Sequence, residues 1–181
     1  MKQTKLKEEA TLAAQKILKS ESNVSYFDEP FKHLVIDNFL SSSLANACLE
    51  NFPKVDSDIW ECENDQDIEV KYRTKWESEF DIPEGIVDAV RILNSAIFLR
   101  AIAQRIGIKK IIPDPYFTGG GLNITMPGGL LDVHVDGNYH DATGLNRRLN
   151  AILYLNPDWE PSWDGEFGIY NRTGQECIKK V

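Results

Sequence analysis

At Ile108 the chain changes texture, and that change limits the folds open to it. Before it, apolar residues recur at helical spacing. After it, Pro and Gly clusters (PDP at 113–115, TGGG at 118–121, MPGG at 126–129) separate the alternating runs GLNIT, LLDVHVD, LNAILYLN and GEFGIY. Helices first and alternating runs afterwards predict an α+β layout, in which helices buttress one face of an antiparallel sheet or jelly roll.

Within the first part, Leu6, Ala10, Ala13 and Ile17 fall on one stripe with Lys, Glu and Gln between them, so residues 1–20 read as an N-terminal amphipathic helix. Residues 21–107 read as a strand and helical support region. HLVIDNFL is its short strand, and Ser41 to Ser43 supply caps for a helix over 44–51. Pro83, and then Asn94 or Ser95, open two further helices, the second stopped by Gly107. Residues 55–69 lack a clear period and read as a loop or irregular strands around Trp60. Residues 108–181 read as the first part of a jelly-roll core.

Composition excludes several roles. With 181 residues, 42% of them hydrophobic, the chain can bury one sizeable core. A formal charge of -8 and a pI near 4.9 argue against nucleic acid or anionic membrane as a partner, because binding phosphates takes clustered Lys and Arg. Cys48, Cys62 and Cys177 are odd in number and far apart, which fits neither a disulfide framework nor a CxxC site. The opening MKQTKLKEEATLAAQKILKS is too charged for a signal-peptide core, and no run approaches the ~20 apolar residues of a membrane span. The expectation is a cytoplasmic protein without a membrane partner.

The chemistry concentrates in LDVHVD at 131–136. On a strand, side chains two apart share a face about 7 Å apart along the chain, so Asp132, His134 and Asp136 line one face and Leu131, Val133 and Val135 the other. His134 and Asp136 are then placed to converge on one ion. Taken alone, such a row is ordinarily the wet face of a surface strand. In LNAILYLN a second polar row, Asn150, Ile152, Tyr154 and Asn156, opposes Ala151, Leu153 and Leu155. Two successive mixed rows suggest a barrel whose lumen is a functional pocket.

The stretch HVDGNYHDATGLNRRLNAILYLNPDWEPSWDGEFGIY, from His134 to Tyr170, resembles the 2-oxoglutarate- and Fe(II)-dependent oxygenases, and within them the prolyl 4-hydroxylase-like branch. It carries, in order, HxD, a loop, an Arg-rich strand entry, a YLN-x-x-W segment and a Gly-containing turn. The resemblance extends from PYFTGGGLNITMPGG onward, and HLVIDNFL followed by a helix is similar to the opening of such domains. It implies a double-stranded β-helix, a jelly-roll barrel with helices packed outside. It further implies Fe(II) and 2-oxoglutarate, with ascorbate a candidate addition, and an activity that couples oxidation of 2-oxoglutarate to hydroxylation of a C–H bond. The analogous substrate is a peptidyl or free proline, alongside O2.

By position, the resemblance makes His134 and Asp136 two ligands of a 2-His-1-carboxylate triad. Tyr154 corresponds to the tyrosine that hydrogen-bonds the far carboxylate of the cosubstrate, and Asn150 to a residue lining the same pocket. The family's second His and its carboxylate-binding Arg have no counterpart at the expected positions. His140 reads as a solvent-exposed loop residue and His33 as ordinary surface, while Trp159 and Trp163 read as buried anchors. Asp164-Gly165 stands where the family has Gly-Gly. The favoured expectation is a fragment of a longer oxygenase reading frame, with completion of the barrel by another chain as a second explanation, and the unpaired sheet edges would favour self-association. The alternative is a noncatalytic jelly roll serving as a binding or assembly module.

Overall fold

Local signals build the helices of this chain, whose computed structural model describes residues 3–65 and 67–181. Helix α1 (Gln3–Lys19) buries Ala10, Ala13, Ala14 and Ile17, the stripe expected from spacing with Ala14 added and Leu6 left half-buried. Helix α2 (Ser42–Glu50) begins where the Ser41 hydroxyl accepts the Leu44 N–H, which satisfies one of the amides a helix start leaves open. Helix α3 (Glu84–Leu93) follows Pro83, and α4 (Ala96–Ile106) is capped by the Ser95 hydroxyl accepting from the Phe98 N–H. Gly107, at φ 74°, ends α4 in the left-handed region.

Two compact units result: Met1–Phe52 with Ile82–Pro115, and Pro53–Asp81 with Tyr116–Val181. In the first, α1 packs on α4 through Ala13, Ala14, Ile17, Phe98, Ala101, Ile102 and Ile106, and the Phe39 ring meets Phe98 edge-on at 5.3 Å. Burying Ile17 completely contributes about 2–3 kcal/mol by area. A hairpin of β1 (Val24–Phe27) and β2 (His33–Ile36) completes this unit. His33 is half-buried rather than plain surface: its ring stacks on Phe27 at 4.7 Å, and its Nδ1–H donates to the Phe31 carbonyl at 2.8 Å.

The second unit is built on β4 (Glu69–Arg73), which pairs antiparallel with β3 (Glu61–Asp65), β5 (Asn123–Ile124) and β6 (Leu130–Leu131). Residues 55–69, aperiodic in sequence, thus contain one strand and the start of another. Opposite charges meet across this hairpin: Arg73 of β4 meets Glu63 at 2.8 Å, and Lys75, just beyond β4, meets Glu61 at 2.6 Å. Two small hairpins follow, β7 (Tyr139–His140) with β8 (Leu145–Asn146), and β9 (Gly168–Tyr170) with β10 (Cys177–Lys180).

The result is a mixed α/β structure with small antiparallel sheets. Among the described residues the sheets do not close into a jelly roll. Of the runs 130–136 and 149–156, expected as strands, only Leu130–Leu131 is laddered, and among the described residues 132–136 and 149–156 have no ladder partner. Alternation records which way side chains can face, whereas a strand exists only where a second backbone lies opposite it. The tryptophans expected as anchors are exposed, Trp159 by 41% and Trp163 by 57%. The three cysteines are free, Cys48 buried and the other two exposed.

Candidate metal centre

His134 and Asp136 sit in the segment after β6. Its start is tied to the sheet, for the Asp132 N–H donates to the Ile68 carbonyl at 2.8 Å. The Asp132 carbonyl in turn accepts from Nδ1 of His134 at 2.7 Å. A carbonyl oxygen can only accept, so Nδ1 carries the hydrogen and Nε2 is the nitrogen left for other work. Nε2 faces Oδ1 of Asp136 at 3.4 Å.

The other carboxylate oxygen is held separately. Asn150 Nδ2 donates to Oδ2 of Asp136, and Arg147 Nη1 approaches the same oxygen at 3.6 Å. Arg147 is itself fixed at two points: Nη2 donates to the Thr118 carbonyl at 3.1 Å, and its backbone N–H donates to the Asn138 carbonyl at 2.7 Å. The β7–β8 hairpin brings these residues together, by returning the chain so that 147–150 lie beside 136–138. They line an open concavity of about 210 Å³ together with Val135, Gly137 and Leu149. The site is not enclosed, since the His134 and Asp136 side chains are 46% and 45% exposed.

Tyr154 is not brought to the pair, and among the described residues it has no hydrogen bond to either ligand candidate. Its ring is 54% exposed, yet partial desolvation pushes the hydroxyl above its ordinary pKa. His140, expected in solvent, is half-buried: its Nδ1 accepts from the Thr143 N–H at 3.3 Å and its Nε2 donates to Thr118 Oγ1 at 2.8 Å. Both ring nitrogens are engaged, which removes it from the donor set. In sequence Arg147, Arg148 and Arg172 are all open as groups that neutralise a carboxylate, with at least one of the adjacent pair expected in solvent; the structure brings Arg147 to Asp136.

The donor chemistry fits two positions of a divalent cation that takes nitrogen and oxygen ligands: an imidazole nitrogen whose partner nitrogen is pinned by a backbone carbonyl, and a carboxylate whose second oxygen is hydrogen-bonded. Among the described residues no group of three or more His, Cys, Asp or Glu side chains comes together. The pair itself offers two donor atoms, His134 Nε2 and Asp136 Oδ1.

Residues 120–181, about a third of the chain, match the family model described as the 2OG-Fe(II) oxygenase superfamily. The match contains His134, Asp136, Asn150 and Tyr154. It supports dioxygenase-type chemistry and implies Fe(II), 2-oxoglutarate and O2. No curated protein and no solved structure matches the chain. Among the described residues no helix is long and apolar enough to cross a membrane.

Proposed function

We propose that the second unit carries part of the active site of a 2-oxoglutarate- and Fe(II)-dependent dioxygenase of jelly-roll fold and prolyl 4-hydroxylase-like type, which hydroxylates a C–H bond of a prolyl peptide or a related amino acid. The observation that carries this reading is the approach of His134 Nε2 to Asp136 Oδ1 at 3.4 Å, with the remaining polar atom of each side chain already partnered, inside the stretch that matches the family.

In this reading His134 Nε2 and Asp136 Oδ1 are two of three protein ligands, and a third donor comes from outside the assembled set. Iron held there supplies the redox chemistry that couples 2-oxoglutarate and O2 to substrate oxidation. The chain's own groups bind and orient. The Asp132 carbonyl fixes the His134 tautomer. Tyr154, whose raised pKa keeps its hydroxyl protonated, donates to the distal carboxylate of the cosubstrate. Asn150 holds Asp136 from the wall of the same concavity.

The test is Mn(II) binding, followed by electron paramagnetic resonance, for the wild-type chain and for His134→Ala and Asp136→Ala. Binding by the wild type that each substitution weakens at least tenfold is expected. Equal binding by all three proteins would remove the basis of the assignment.

A further inference from the structure

The assignment above leaves Arg147 without a role, and its geometry supplies one. We infer that Arg147 is a positioning residue that, together with Asn150, occupies Oδ2 of Asp136 and so restricts a bound divalent cation to Oδ1. The inference rests on the reading of His134 and Asp136 as metal ligands.

Three contacts make Arg147 a fixture. Its backbone N–H is tied to Asn138, its Nη2 to Thr118, and its Nη1 reaches Oδ2 of Asp136 at 3.6 Å. The guanidinium passes over Gly119, where an added Cβ would lie 3.2 Å from Nη2. The side chain is only 32% exposed. With Arg147 and Asn150 both on Oδ2, the lone pairs facing His134 belong to Oδ1. A guanidinium stays charged at every working pH, so the arrangement has two consequences for a dication. The cation meets one carboxylate oxygen rather than two, and it meets a fixed positive charge nearby. Arg147 therefore sets the coordination mode of Asp136 and lowers the affinity of the site, while neutralising Asp136 when no metal is bound.

Replacing Arg147 with Met removes the charge and frees Oδ2 on that side. Both changes act in the same direction, toward tighter binding with two-oxygen coordination. Arg147→Met is expected to bind Mn(II) about three- to tenfold more tightly than wild type in low salt, the size of one unit charge near a solvent-screened dication. Arg147→Lys, which keeps the charge, is expected to stay near wild type. The metal-minus-apo infrared difference spectrum should show the separation between carboxylate stretches narrowing in Arg147→Met, the mark of a chelating carboxylate. A merely structural role predicts weaker binding instead.

A second measurement needs no metal. In the apo protein, Asp136→Asn should shift the Arg147 Nε and Asn150 Nδ2 resonances. Unmoved resonances, or Arg147→Met binding as wild type does or more weakly, overturn this inference while leaving the ligand pair intact. A wild-type chain that binds no Mn(II), or binds it independently of His134, overturns the ligand assignment and this inference with it.

Discussion

Thr74 and Leu122 hold each other twice: the Thr74 N–H donates to the Leu122 carbonyl at 3.0 Å, and the Leu122 N–H donates to the Thr74 hydroxyl at 2.9 Å. Both residues are buried, so this reciprocal pair fastens the end of β4 to the segment leading into β5. The approach is possible because Gly121 has no side chain. A Cβ there would stand 2.1 Å from the Thr74 carbonyl oxygen. Gly121→Ala should destabilise the second unit by about 3 kcal/mol, measured by urea titration, because the obstacle is backbone and cannot rotate away.

In the first unit, Ile17 and Leu18 are adjacent on α1 and differ in surroundings, Ile17 having no exposure and Leu18 46%. Ile17→Ala should cost about 3 kcal/mol, through lost transfer energy and the cavity left against α4. Leu18→Ala should change stability by less than about 0.5 kcal/mol. Paired thermal melts would show the contrast, and equal losses would contradict the helix orientation.

Asp81 predicts a pH dependence. Its Oδ2 accepts the Glu77 N–H at 2.9 Å, the Ser78 N–H at 2.8 Å and the Ser78 hydroxyl at 3.1 Å, and these donors hold the carboxyl below its ordinary pKa. A depressed folded-state pKa means that the contribution to stability is present above the unfolded-chain value and is lost as pH falls through the folded one. The Asp81 carbon resonance should therefore titrate below the usual carboxylate range. Asp81→Asn should reduce the acid sensitivity of unfolding in that window.

Tyr154→Phe removes one hydroxyl and nothing else. Under the proposed function it should weaken 2-oxoglutarate binding to the Mn(II)-loaded protein about tenfold to a hundredfold, the size of one hydrogen bond to a charged group, with the melting temperature unchanged. Calorimetric titration gives the comparison, and unaltered affinity would detach Tyr154 from the cosubstrate.

The helices were legible because their information is local. Ser41, Ser95 and Gly107 act within one turn of their own position, and the spacing of Ala10, Ala13 and Ile17 names the buried face before any partner is known. The hairpin of β3 and β4 was legible only as a loop or irregular strands, since its apolar content is low and contacts such as Arg73 with Glu63 join different strands. For 149–156 the error ran the other way: alternation at Asn150, Ile152 and Tyr154 is present, but among the described residues no strand lies opposite.

At the candidate site, the closeness of His134 and Asp136 could be read from their spacing, although an extended segment rather than a laddered strand provides it. The Asn150 and Arg147 contacts could not be read, because they depend on how the β7–β8 hairpin folds back. His140 misled for the same reason, its partner Thr143 being supplied by the turn and its partner Thr118 by a segment 22 residues earlier.

The Arg147 N–H closes on the Asn138 carbonyl beneath the two rungs of the β7–β8 hairpin. That clasp anchors the base of the hairpin next to the carboxylate at 136, while Thr143 in the turn reaches the same neighbourhood through His140 and Thr118, so tip and base of one short loop share a single anchorage.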